Sequence, residues 1–141
     1  MKSTIVEYLA SVPCWFLATA CDGTPHAQPH VRPFSFVTLD AGRIVFCTAR
    51  GKDVADQLEA NPLFELSAWK PGAGWLIVRG SAVYDVAVSE DTRTAAYRHL
   101  AGLGETYDGP HDPRLVFFTF ESGEAELADI TGAVERISLE D

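Results

Sequence analysis

Cysteine is scarce: Cys14, Cys21 and Cys47 are the three in 141 residues. They are odd in number, widely spaced and form no C-x-x-C pair, which excludes a disulfide framework and a thiolate zinc site. His26 and His30 share an expected strand face, yet no third ligand lies nearby, and His99 and His111 add no metal motif. Cations are also few, with 11 Lys and Arg against 20 Asp and Glu and a net charge of −9. That balance excludes sequence-independent nucleic-acid binding, which draws affinity from many basic contacts to phosphates, and docking on anionic lipid. No segment approaches the roughly 18 apolar residues that span a bilayer. Glu7 interrupts the apolar positions near the N-terminus and no small-residue cleavage site follows, so a soluble cytoplasmic protein is expected. G-x-G-x-x-G and G-x-x-x-x-G-K-[ST] are both missing, which disfavours a Rossmann or P-loop unit.

What is present is a globular composition, 47% hydrophobic and 22% charged. The length suits a single domain over residues 1–141 with a core that needs no staples. Thr4-x-x-Glu7 has capping-box spacing, and Ile5, Leu9 and Val12 recur at helical intervals, predicting a helix over 3–11 that Pro13 ends. Residues 14–20 read as a strand apolar on both faces, and Asp22-Gly23 as a hairpin turn. A longer strand over 25–39 carries Pro25, Pro29 and Pro33, each removing a ladder donor, so part of it must be an edge, bulge or bend. A strand over 43–48 follows, then a helix over 52–60 closed by Asn61-Pro62.

Residues 63–69 and 75–86 form a hairpin in which Leu76, Val78, Gly80 and Ala82 alternate with Trp75, Ile77, Arg79 and Ser81. The first set belongs in the core. The second offers a ring and a guanidinium to a ligand or a partner subunit, or an arginine lying over its own sheet. A helix capped by Ser89 runs to 103, an exposed loop covers 104–114, and strands 115–120 and 124–130 flank a Ser122-Gly123 turn. Short strands joined by tight turns, with three helices, fit a mainly β, antiparallel barrel flanked by helices.

The window from Arg32 to Lys52 reverses the sign of the chain. It holds four of the eleven cations, Arg32, Arg43, Arg50 and Lys52, and one acid, Asp40. A helix begins there, and its unpaired N–H groups and dipole make a natural phosphate seat, to which Thr48 adds a hydroxyl and Lys52 and Arg50 add charge. Pro33, Phe34, Phe36 and Phe46 supply a flat apolar slot, a combination that suits flavin mononucleotide (FMN). The same segment also reads as a strand, loop and helix whose cations face water.

The order Phe16 to Thr19, Asp22 to His26, Arg32-Pro33-Phe34-Ser35-Phe36, Phe46-Cys47-Thr48, Lys52 to Pro62 and Trp75 to Ala82 resembles the pyridoxamine 5'-phosphate oxidase-like, FMN-binding split-barrel family. The resemblance implies a six-stranded antiparallel split barrel that forms a homodimer with FMN at the subunit interface. It implies that Arg32, Thr48 and Lys52 hold the phosphate and that Pro33, Phe34 and Phe46 line the ring and ribitol. Ser35 is a candidate donor to the ring, and Trp75 and Arg79 are candidates from the other subunit. Asp53, beside Lys52, either caps the helix or opposes the phosphate. The chain stops at Asp141 without the C-terminal tryptophan and arginine segment of authentic B6 oxidases, so B6 oxidation is not expected. The implied activity is electron or hydride transfer with a small molecule, such as a nitro compound or quinone, with no catalytic side chain named and no metal. The alternatives are a non-catalytic flavin-binding or stress-related protein, or a binder of deazaflavin F420 or haem.

Overall fold

The computed structural model describes residues 1–20 and 27–140, so the Asp22-Gly23 turn, Cys21 and His26 lie outside the described residues. Its elements run α1 (Lys2–Ala10), β1 (Trp15–Ala20), β2 (Pro29–Phe34), β3 (Val37–Asp40), β4 (Arg43–Ala49), α2 (Asp53–Ala60), β5 (Leu63–Lys70), β6 (Gly74–Tyr84), α3 (Glu90–Gly102), β7 (Leu115–Ala128) and β8 (Val134–Ser138). The strands pair in the order β2-β1-β5-β6-β7-β4-β3, with β8 added to β7. The ladders are antiparallel. β2 and β3 are therefore the two ends of this path, yet only Ser35 and Phe36 separate them in the chain. Three trans peptide steps reach about 11 Å, so the sheet must curl until its ends meet. It becomes a barrel closed by the chain and open in its ladder at one seam.

The prolines fall as their missing donors require, because Pro29 and Pro33 sit in edge strand β2 and the expected long strand breaks after Phe34. Among the described residues there are eight strands, where a six-stranded barrel was expected. Residues 115–130 do not form a hairpin: β7 runs unbroken from Leu115 to Ala128, and Ser122-Gly123 lies inside it, facing Ser81 and Gly80 beside a register shift. There the backbones touch, since a Cβ on Gly80 would meet the Ser122 carbonyl oxygen at 2.2 Å and one on Gly123 the Arg79 carbonyl oxygen at 2.3 Å. The glycine that reads locally as a turn is needed for this close approach. Thr4 also departs from its expected capping role: it lies inside α1, whose N-cap is Met1.

The barrel interior holds Trp15, Leu17, Phe46, Leu66, Leu76, Val78 and Phe118, plugged by Ile5 and Leu9 of α1 and Val54 and Leu58 of α2. β1 buries only one face, because Phe16 is 47% exposed, contrary to the two-sided burial its composition suggested. β4 is buried on both faces: Ile44 and Phe46 look inward, while Val45 and Cys47 join a second cluster with Phe36, Phe117 and the α3 residues Ala96 and Leu100. α3 is thus a cover on the outside of the barrel.

Asp40 locks that cover in place. Its carboxylate accepts from the Ser89 backbone N–H at 3.2 Å and the Thr92 hydroxyl at 2.9 Å, while the Ser89 hydroxyl caps the helix by accepting from the Thr92 N–H. The Ser89 hydrogen bonds, with smaller contributions from Thr92 and Arg43, outweigh desolvation and hold its pKa at about 2, below the ordinary 3.8. A carboxyl depressed in the folded state stabilises it above the unfolded value and loses that contribution as pH falls through the folded one. Asp40→Ala is expected to cost roughly 1–3 kcal/mol at neutral pH, from the stranded donors. In urea unfolding at stepped pH, the gap to wild type should be full above 3.8 and close toward about 2; a gap that persists there contradicts the assignment.

Candidate functional site

The seam where β2 passes to β3 opens into a cavity of about 460 Å³. Arg32, Pro33, Phe34, Ser35 and Phe36 line one side, Cys47, Thr48, Lys52 and Val54 the β4–α2 junction, and Leu100, Leu103, Glu105 and Tyr107 the side under α3. This volume lies within the ordinary range for a small-molecule site, and most of the wall is apolar with a few polar groups at one end. The loop expected to be exposed, and either to cover a substrate or to do nothing, contributes Glu105 and Tyr107 to the wall and buries Asp112.

The polar end is built by the turn between β4 and α2. Gly51 takes φ +89°, a conformation that lets the chain reverse before the helix, and the Lys52 N–H donates to the Ala49 carbonyl at 3.2 Å. α2 starts after Lys52 in the N-cap position, with no side chain capping it. Its first N–H groups have no partner within the helix, and the positive end of the dipole points out. Asp53 does not cap the helix; with Asp56 it lies in the first turn, where it offsets part of that potential.

Thr48, Lys52 and Arg32 are polar side chains on this cavity. The Thr48 hydroxyl is buried and, among the described residues, one of two buried side-chain polar atoms without a hydrogen-bond partner; the other is Trp15 Nε1. A buried, unpaired hydroxyl costs about 1–3 kcal/mol, so its persistence on a cavity wall marks a place where a ligand acceptor would fit. Lys52 Nζ lies 2.6 Å from Glu105 Oε1, and the Tyr107 hydroxyl donates to that same oxygen at 3.0 Å. Arg32 donates to the Thr19 hydroxyl at 2.8 Å, to the Leu17 carbonyl at 3.3 Å and to Gln57 Oε1. Gln57 also accepts from Thr19 at 2.5 Å, so the guanidinium is braced between β1 and α2.

Electrostatics keep the Cys47 thiol out of thiolate chemistry. Burial, with Glu105 adding to it, pushes the Cys47 thiol up to about 12, so it stays protonated and unreactive at neutral pH. Burial and its bond to Glu105 push Tyr107 to about 12, keeping the phenol a donor.

The cationic window separates on folding. Arg43 turns to Asp40 and the Ala87 carbonyl, and Arg50 to Asp85 and the Pro113 carbonyl, leaving Arg32 and Lys52 on the cavity. Pro33, Phe34, Ser35 and Thr48 line it as well. Phe46 does not; its ring is fully buried between Trp15, Phe118 and Phe120. Trp75 and Arg79 also lie apart from this cavity, Trp75 opposite Trp69 and Arg79 within reach of Glu65, Glu124 and Glu126. Glu105, Tyr107 and His99 were missed, the first two because a Gly- and Asp-rich loop carries no periodicity to place it. His99 was assigned only to a helix face, with nothing local to show what it meets.

Comparison with known proteins agrees with this architecture. The model of the pyridoxamine 5'-phosphate oxidase family matches residues 1–128. No curated protein matches the chain. Among solved structures, a NimC/NimA family protein from Clostridium acetobutylicum is 26% identical, with a TM-score of 0.79 over 99% of this chain and 92% of its own. A pyridoxamine 5'-phosphate oxidase-related, FMN-binding protein from Nostoc punctiforme shares the fold at 12% identity and TM-score 0.58, covering 98% and 91%. A haem-binding protein from Mycobacterium smegmatis does so at 15% identity and TM-score 0.66, covering 93% of this chain and 55% of that one. With the family model matched over nearly its whole length and a split barrel beneath it, this chain belongs to the pyridoxamine 5'-phosphate oxidase family.

Proposed function

We propose that the protein binds FMN in the seam cavity and uses it to exchange electrons or hydride with a small organic molecule. The observation that carries this reading is the unpartnered Thr48 hydroxyl beside Lys52, at an uncapped helix start that opens onto an apolar cavity. Thr48, Lys52 and the α2 N–H groups would hold the phosphate, Arg32 would add charge, and Pro33 and Phe34 would face the apolar part of the cofactor. Bound FMN would supply the redox chemistry, while the protein supplies orientation, electrostatics and exclusion of water. No histidine is among the described residues that line the cavity, so a histidine-ligated haem fits less well.

Lys52 has a partner already, so seating a phosphate means exchanging it for Glu105. That exchange is favourable on magnitudes: the Lys52 and Glu105 side chains are 49% and 28% exposed, and such pairs contribute about 1 kcal/mol or less. A charge-assisted bond to phosphate contributes about 1.5–3 kcal/mol.

We also propose a homodimer. The outer face of β2, β1, β5 and β6 carries Val31, Phe16, Trp69 and Trp75, exposed by 67%, 47%, 66% and 42%. Their register puts them on one continuous side of the sheet, an apolar surface of the kind that marks an interface. Trp75 is then the candidate contact to the partner's cofactor, Arg79 being occupied by its carboxylates.

Fluorescence titration should show FMN binding in wild type. Lys52→Ala is expected to weaken it by about ten- to a hundredfold while leaving riboflavin, which lacks the phosphate, unchanged. Glu105→Gln should tighten FMN by up to about fivefold. Equal losses for FMN and riboflavin would move the phosphate elsewhere. Thr48→Val removes a buried, unpaired hydroxyl, so it should stabilise the cofactor-free protein by about 1 kcal/mol in urea while weakening FMN. A variant that loses stability instead refutes the unpaired state. In sedimentation, Trp69→Glu should convert a dimer to monomer; a wild-type monomer would remove the dimer from the proposal.

A further inference from the structure

Ser35 lies at the seam with its hydroxyl on the cavity wall, and its Oγ is 2.7 Å from Nε2 of His99 on α3. The imidazole is held from a second direction by Phe36, the ring centroids 5.7 Å apart at 60°. The helix that carries it is fixed by Ala96 and Leu100 in the second core and by the Asp40 lock on its first turn. The hydrogen bond between Ser35 and His99 takes no part in the Lys52–Glu105 pair, so the proposed phosphate seat does not account for it.

A hydroxyl has one proton and two lone pairs, so its partner decides what it shows to everything else. When the imidazole nitrogen accepts, the Ser35 proton points toward His99 and the cavity meets only lone pairs. When Nε2–H donates, the Ser35 proton is left to point into the cavity, polarised by the bond behind it. His99 therefore selects between an acceptor and a donor on the wall.

We propose that His99 is a positioning residue that donates Nε2–H to Ser35 and so makes the Ser35 hydroxyl a hydrogen-bond donor to the electron-carrying ring of a flavin in the cavity. This rests on the flavin reading above and adds what that reading leaves open, the group that favours the reduced cofactor. Uptake of a hydride brings two electrons and one proton, hence one unit of negative charge; the hydride donor, a reduced nicotinamide or a chemical reductant, is oxidised by two electrons. A fixed donor gains strength as that charge develops and binds the reduced form more tightly than the oxidised one. No protein bond is made or broken, and the proton stays on Ser35.

The test is the midpoint potential of FMN bound to the protein, measured by reductive titration against a dye of known potential. Ser35→Ala should lower the affinity ratio of reduced to oxidised FMN about tenfold, the size of one charge-assisted bond, which is about 30 mV more negative for a two-electron couple. His99→Phe, which keeps a ring against Phe36, should give the same shift, and the double variant no more than either alone. His99→Gln, whose amide N–H can donate, should restore most of the wild-type potential. Thermal unfolding run alongside separates a structural role, which moves Tm and leaves the potential. A shift in Ser35→Ala with none in His99→Phe, or none in either, overturns the inference while FMN binding stands. A wild-type protein that binds no FMN overturns the proposed function itself, and this inference with it.

Discussion

A link of two residues governs this molecule. Ser35 and Phe36 join the strands at opposite ends of the sheet, and because a chain that short spans about 11 Å, every strand between them must twist and curl to bring those ends together. Closure by a covalent link, without a ladder across it, leaves a gap lined by backbone and side chains that no neighbouring strand covers. The cavity lies at that gap. Its position follows from connectivity, and its chemistry from the residues that happen to flank the link.

An aromatic column runs from the cavity wall at Phe34 into the core. Phe34 stacks on Trp15 at 5.3 Å, Trp15 meets Phe46 edge-on at 5.0 Å, and Phe46 continues to Phe118 at 5.2 Å and Phe120 at 4.9 Å, with Phe64 stacked on Phe120 at 4.4 Å. The column ties β2, β1, β4, β7 and β5 together, and each contact adds about 0.5–1.5 kcal/mol beyond its burial. Phe34 belongs to both the column and the cavity wall. Phe46 supports the site from beneath, as a strut rather than as a surface.

Much of this was legible in the chain. Ser89 capped its helix as read, the α2 segment began one residue later than expected, and Pro29 and Pro33 announced an edge that β2 provides. Arg32, Pro33, Phe34, Ser35, Thr48 and Lys52 gather on one cavity because strand ends and a helix start are local features that spacing reveals. The errors share another origin. Ser122-Gly123 carries the composition of a turn, and only the opposing Gly80, 43 residues before Gly123, shows that it is a contact between backbones. β8 escaped notice because Ile137 is the one buried residue within it, too little for periodicity to register. The island of positive charge was half illusory, since Arg43 pairs with Asp40 inside the same window and reaches the Ala87 carbonyl, while Arg50 turns to Asp85 and Pro113 far along the chain. His99 meets Ser35 across 64 residues of chain, a pairing that no sequence window contains.

The clasp of Glu105 on Lys52 has a consequence for how anything negative arrives. With that cation matched by its own carboxylate, its pull does not extend far into solvent, and what an approaching anion feels at long range is the field of a molecule carrying nine excess negative charges. On the proposed reading, capture of a phosphate-bearing cofactor would be slow at low ionic strength and would quicken as salt screens the repulsion, the reverse of the usual steering. The doorway favours whichever visitor is flat and oily enough to linger until the clasp exchanges hands.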